Sequence, residues 1–212
     1  GIVAIAFMVT KTAASHQSKD RPENKGDLST PQLIKLFFSN ITFWSSKVKR
    51  EVAGGTLDGY QGVGFETHKL AKNTCEIKKA FQRAGFACNL IPGTVTRKGG
   101  VSGGVIGAAR ANAAVTLKAP DWCEASFSGD DWVAMVVRLH ELSVLVVFAY
   151  FHPGAENAHD NYQRFWCIVH LERAMGLAAI LVADFNKIPE EIQAQGWLSL
   201  FQGRIQTPPV DF

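Results

Sequence analysis

An apolar run over residues 177–182 stops at Ala183-Asp184-Phe185-Asn186, leaving a carboxylate and an amide two positions apart just beyond a predicted strand. Side chains two apart on an extended chain point the same way, so Asp184 and Asn186 are expected to converge on one substrate atom while Phe185 anchors the turn beneath them. A carboxylate can take a proton or a cation, and an amide can donate to a phosphoryl oxygen. Ile188-Pro189-Glu190-Glu191 then reads as a helix start, with Pro in the first turn and acidic residues favoured by the helix dipole. Further polar groups stand where other strands should end: Asn40, Glu66, and Tyr150 with His152. Open sheets gather ligands at such ends. Phosphodiester hydrolysis needs a hard divalent cation, a group that orients or deprotonates water, and donors for the non-bridging oxygens; these residue types are suitable for holding the first and providing the others.

The elements that must position these groups are partly visible. Residues 33–43 mix β-branched and aromatic side chains and predict a strand ending near Asn40, and residues 60–66 predict a glycine-interrupted strand with Glu66 at its C-terminal end. Residues 73–84 predict a helix, with Asn73 and Glu76 at capping-box spacing, Ile77, Ala80, Phe81 and Ala84 as its stripe, and Gly85 as its stop. Strands follow at 86–91, 101–110, 132–140 and 143–151, with a loop over 111–131, an order that suggests an antiparallel meander. The clearest helix is 158–175, with Asn157 as N-cap. Tyr162, Phe165, Trp166, Val169 and Arg173 lie on one side, and the stripe through Phe165 and Trp166 is expected to cover the sheet.

At 212 residues, 47 % apolar and 19 % charged, the chain suits one α/β domain with a substantial core and is not wholly disordered. Residues 10–31 are polar, so the expected organisation is an N-terminal segment and linker over 1–31 and a domain over 32–212. The apolar start, 1–9, is open between a remnant of a targeting segment and an extra strand. A net charge of +3 permits a polyanionic partner without demanding one, and the small basic groups around Lys47, Lys78 and Arg97 read as solvated faces. Cys75, Cys88, Cys123 and Cys167 lack CxxC spacing and are expected as buried free thiols rather than a zinc site. The longest apolar runs fall well short of the roughly 20 residues of a membrane helix, so no membrane span is expected.

Taken in order, Ser39-Asn40-Ile41, Phe65-Glu66-Thr67-His68, Tyr150-Phe151-His152-Pro153 and Ala183-Asp184-Phe185-Asn186 resemble the motifs of the endonuclease/exonuclease/phosphatase family, closest to the endonuclease domains of non-LTR retrotransposons. The similarity runs over about 33–206 and includes Arg97-Lys98-Gly99-Gly100-Val101. It implies an α/β (α+β) fold, a four-layer sandwich of two mostly antiparallel sheets flanked by helices, and Mg²⁺-dependent (or Mn²⁺-dependent) hydrolysis of phosphate esters. Carried over, Glu66 would ligate the metal with help from Asn40, Asp184 would position or activate water, and Asn186 and Tyr150 would bind the scissile phosphate, with His152 and Arg97 also facing the substrate. Phe65 and Ala183 stand where the family usually has Gln and Gly. The family's closing Asp-His pair and last strands should lie several tens of residues beyond Gly196-Trp197, whereas the sequence reaches Phe212 and Asp211 comes too early. The expected function is therefore an endonuclease-like hydrolase, weak or inactive as it stands, acting on nucleic acid. The alternative is a non-catalytic structural or interaction subunit that keeps the fold and meets protein partners in a larger assembly. An exposed sheet edge, and with it self-association, is expected.

Other motifs carry less. Gly100-Val101-Ser102-Gly103-Gly104 matches GxSxG, but a nucleophile elbow needs a strand before and a helix after, and β-like Val105-Ile106 follows here. The same segment lacks P-loop spacing. His68, His152 and His159 have no ligand spacing and read as surface or cleft residues, while His140 and His170 read as core or boundary positions. The five tryptophans are scattered, which suits packing better than base stacking.

Overall fold

The structure is a computed structural model that describes residues 5–8, 35–40, 44–96, 98–115, 128–129, 131–139, 142–154 and 157–206. Arg97, Cys123, Trp122, His140 and the polar arm at 10–31 lie outside these residues, and of Asn40 only the backbone is described.

Two sheets stack face to face. The larger runs in the order β13 (Arg204–Gln206), β1 (Ile5–Met8), β12 (Ala178–Asp184), β11 (Leu142–Tyr150), β10 (Trp132–Leu139) and β8 (Ala114–Val115), with β9 (Ser128–Gly129) also paired to β10. The smaller runs β2 (Leu36–Asn40), β3 (Gly62–Glu66), β7 (Val105–Arg110), β4 (Phe86–Ile91), and a separate ribbon joins β5 (Thr94–Val95) to β6 (Val101–Ser102). The β11/β12 and β2/β3 pairs are parallel and the rest antiparallel. Helices α1 (Ser46–Ala53) and α2 (Thr74–Arg83) pack on the outer face of the smaller sheet through Val52, Ile77 and Phe81. On the outer face of the larger lie α3 (Ala158–Met175), α4 (Pro189–Ala194) and α5 (Trp197–Phe201). The result is the helix–sheet–sheet–helix sandwich expected.

Residues 144–150 of β11 are all buried because both faces of that strand are covered, which is why it reads as an unbroken apolar run. Between the sheets, Phe148 fills a slot made by two glycines. A Cβ at Gly64 would stand 2.2 Å from its ring and one at Gly107 2.6 Å, so both positions must lack a side chain for the sheets to close.

Several expectations are corrected. The meander is broken, since β7 and β10 belong to different sheets and the intervening chain crosses between them. The strand expected over 101–110 divides at Gly103-Gly104, and Ser102 ends a hairpin strand rather than topping an elbow. The buried face of α3 is Asn161, Arg164, Phe165, Ile168, Val169, Leu171 and Glu172; Tyr162 and Arg173 are exposed and Trp166 is half-buried, so the covering stripe is rotated from the one expected. His170 is exposed. The Asn73 side chain makes no cap hydrogen bond, and Glu76 pairs instead with Lys49 of α1. Asn157 likewise turns away from α3 and donates to the Pro153 carbonyl. Cys75 and Cys167 are exposed free thiols, not buried ones, while Cys88 is half-buried. Residues 5–8, of undecided role in the sequence, form a strand of the larger sheet between β12 and β13. Among the described residues no helix is long and apolar enough to cross a membrane.

Candidate active site

Register brings the candidate residues together in pairs. In the parallel β11/β12 ladder Tyr150 stands beside Asp184, and in the parallel β2/β3 ladder the backbone of Asn40 stands beside Glu66. Both pairs occupy the C-terminal ends of their strands. The sheets face each other, with β12 against β2 and β11 against β3, so the two pairs meet across the sandwich.

Tyr150 reports that meeting. Its phenol, 7 % exposed, is pushed up to about 12 by burial and then by the negative charges of Glu66, Asp184 and Asp131, while a hydrogen bond with the Asn186 side chain acts the other way. The charges of three carboxylates distant in sequence thus reach one hydroxyl, which stays a neutral donor throughout the physiological range.

Asp184 and Asn186 do not converge by strand alternation, as the sequence suggested, because the strand ends at Asp184. Asn186 is left-handed (φ 49°), a conformation Asn tolerates, and its backbone N–H donates to Asp184 Oδ1 at 3.0 Å. This Asx turn aims the amide inward: Asn186 Nδ2 donates to the Phe151 carbonyl at 2.9 Å. Phe185 anchors the turn, stacked on Phe151 with ring centroids 4.8 Å apart.

Glu66 is fully buried and its Oε1 lies 3.0 Å from Nε2 of His68. Nδ1 of His68 lies 3.2 Å from the Val101 carbonyl, so both ring nitrogens face oxygen. With Nδ1 donating to that carbonyl, the Nε2 contact is a hydrogen bond only when the imidazole or the carboxyl holds an extra proton.

The densest polar network surrounds Asp131, which sequence reasoning left in a loop. Its Oδ2 meets Nε2 of His152 at 2.7 Å and Nη2 of Arg164 at 3.4 Å, and its Oδ1 accepts from the Gly104 N–H at 2.9 Å. Burial alone would raise its pKa, but hydrogen bonds from His152 and Gly104 and the charges of His152 and Arg164 outweigh it and hold the carboxyl below its ordinary range. Asn161 clamps the backbone of His152 on both sides, accepting from its N–H at 3.0 Å and donating to its carbonyl at 2.7 Å, and Arg164 Nη1 donates to the same amide at 2.7 Å. The glycine pair has its reason here: a Cβ at Gly103 would stand 2.0 Å from Asp131 Oδ1. The clue in the sequence was polar, since Asn161 and Arg164 interrupt the apolar face of α3.

Glu66 and Asp184 are hard oxygen donors of the kind Mg²⁺ or Mn²⁺ takes, though among the described residues no three His, Cys, Asp or Glu side chains are gathered as a ready ligand set. Mg²⁺ commonly uses one or two carboxylates and completes its shell with water and substrate phosphate, so the donors present fit such an ion.

No family model matches the chain, and no curated protein does. Solved structures do. An endonuclease/exonuclease/phosphatase family protein from Leptotrichia buccalis superposes with a TM-score of 0.53 at 13 % identity, covering 79 % of this chain and 74 % of that one. The endonuclease domain of TRAS1, a telomere-specific non-LTR retrotransposon, gives 0.50 at 15 %, covering 80 % and 71 %. The 3′ phosphatase NExo from Neisseria, bound to product DNA hairpin, gives 0.51 at 14 %, covering 80 % and 70 %. The match spans less than two thirds of humanized D. rerio TDP2 and of the human Nocturnin catalytic domain, 66 % and 63 %. The chain has the endonuclease/exonuclease/phosphatase fold, as the sequence resemblance implied.

Proposed function

We propose that this chain hydrolyses phosphodiester bonds of nucleic acid with the aid of Mg²⁺ or Mn²⁺, at the strand ends that carry Tyr150, Asp184 and Glu66. The observation that supports this most is the register that sets Tyr150 beside Asp184 and Asn40 beside Glu66, at strand ends of two sheets that face each other. Nucleic acid as substrate is supported by fold neighbours that are a retrotransposon endonuclease and a DNA 3′ phosphatase.

In this reading Glu66, beside Asn40, holds the cation, which when bound neutralises charge developing on the phosphate oxygens. Asp184 takes the role of orienting and deprotonating water. Asn186 and the neutral Tyr150 donate to non-bridging oxygens, a kind of contact whose loss costs about 10²-fold in rate. In this reading His152, braced by Asp131 and Asn161, binds the substrate, as does Arg97. The test is nicking of supercoiled DNA and cleavage of an abasic duplex in Mg²⁺, in Mn²⁺ and in EDTA, with Asp184→Ala and Glu66→Ala. Activity that needs the metal and disappears in both variants supports the proposal; a folded wild type that cuts nothing refutes it.

A second reading, a non-catalytic interaction subunit of a larger assembly, is favoured by one observation: His68 already occupies Glu66 Oε1. Calorimetry with Mn²⁺ separates the two. An enzyme binds the ion and His68→Ala tightens it; a scaffold binds none in either form.

A further inference from the structure

A pocket of about 240 Å³ opens beside the Asp184–Asn186 turn, lined by Ala158, Asn161 and Tyr162 of α3, Lys187, Gln195 and Trp197. Of its lining residues the hydrolytic scheme uses only Asn161, as the brace of His152. Its floor is the indole of Trp197, 3 % exposed and stacked on Phe165 at 4.5 Å, and one wall is Asn161, whose amide is held by the His152 backbone. Both surfaces are therefore rigid. The mouth is different: Tyr162 is 41 % exposed, a large ring left in solvent, and its edge is buttressed by Trp166 at a centroid distance of 6.1 Å and an angle of 88°. Lys187 adds a cation, and Gln195 an exposed amide that both donates and accepts.

We infer that this pocket seats a nucleobase next to the scissile phosphate, stacked on Tyr162, with Lys187 meeting the adjoining backbone phosphate. The inference rests on the proposed hydrolysis of nucleic acid and names how the strand is held. Position selects the occupant. Lys187 follows Asn186 directly in the chain, so the pocket adjoins the turn that carries the group proposed to bind the phosphate. Its volume falls below the roughly 300–1,000 Å³ of pockets enclosing drug-sized molecules, which suits a single planar ring. An exposed aromatic face beside a lysine is the pairing that binds single strands with little regard to sequence, since every base has a π-face.

The test is fluorescence anisotropy of a labelled single-stranded oligonucleotide in Ca²⁺, with a companion oligonucleotide in which abasic spacers replace every base. Tyr162→Ala is expected to weaken binding of the base-bearing strand about 10-fold, Tyr162→Phe to leave it near wild type, and Lys187→Gln to weaken both strands and lower the salt slope by about one. Tyr162 is exposed, so the thermal midpoint should hold. Equal binding of the base-bearing strand by wild type and Tyr162→Ala overturns the inference, as does an equal loss for the abasic strand or a wild type that binds neither. Unchanged affinity with an altered oligomeric state in light scattering would assign the pocket to a protein contact and overturn it as well. Binding needs no turnover: a chain that grips the strand through Tyr162 yet cuts nothing would refute the hydrolytic proposal alone.

Discussion

Replacing Asp131 by Ala tests whether the buried network holds the site in shape. The substitution removes the Asp131 carboxylate from Arg164, 8 % exposed, and the acceptors of His152 and of the Gly104 N–H. Breaking a buried pair costs about 3–5 kcal/mol. The Arg164 contact is long at 3.4 Å and the His152 side chain is 22 % exposed, so water can replace part of what is lost. We therefore expect about 3 kcal/mol, a large share of the roughly 5–15 kcal/mol that holds a domain together. Urea unfolding followed by far-UV circular dichroism gives the number, with an unchanged slope as the sign that only stability moved. The pH dependence carries a definite sign. The Asp131 carboxyl is held below its ordinary range in the folded chain, so its contribution is present above the unfolded value near ~3.9 and is lost as pH falls through the folded value. The gap between wild type and variant should thus be full at neutral pH and close in acid below about pH 4. Adding Arg164→Met should restore part of the stability, because the guanidinium that faced the lost carboxylate goes with it. A loss under about 1 kcal/mol at neutral pH, or an Arg164→Met that adds to the damage, would refute the account of this network.

Four further outcomes follow from the same coordinates. One of the three tyrosines, Tyr150, should ionise only near pH 12 by absorbance, and because its folded value is raised, the stability it contributes is complete below about pH 10 and drains away as pH rises toward 12. Gly64→Ala should cost about 1–3 kcal/mol by forcing a methyl into the Phe148 ring, and pairing it with Phe148→Leu should cost less than the sum, measured by the same unfolding assay. Glu66→Gln should remove metal-dependent cleavage while leaving the fold intact, read by nicking and circular dichroism together. Cys75 and Cys167 should label rapidly with a thiol reagent in the native chain and Cys88 slowly, since burial pushes its thiol up despite Lys78 nearby; peptide mass mapping assigns each.

Strand ends were legible because their signal is local. The apolar run into Asp184, the Gly85 stop after α2 and the span of α3 each follow from a few neighbouring residues, and the motifs at Glu66, Tyr150 and Asp184 sit at the strand ends expected of them. What escaped is non-local. That β7 and β10 part into different sheets depends on a long connection with no periodicity of its own. Asn161 and Arg164 point inward because His152 and Asp131 await them, and a reading that sends polar residues outward turns α3 the wrong way, placing Tyr162 and Trp166 on its covering face. Gly103-Gly104 looked like part of a nucleophile motif, yet its lack of side chains serves a carboxylate from the turn before β10. His68 stands two residues from Glu66, a spacing that was visible but has meaning only once the Val101 carbonyl arrives from β6 to orient the ring.

The parallel ladder that sets residue 150 beside residue 184 behaves like a vernier scale. Adding one alanine in the middle of either strand leaves the charge and every named group unchanged, yet reverses which face each subsequent side chain presents. Kinship among such chains should therefore tolerate length changes in connecting loops and forbid them inside these two strands. For the bench, a single inserted alanine midway along β12 offers a control that disrupts the proposed site while mutating none of its groups.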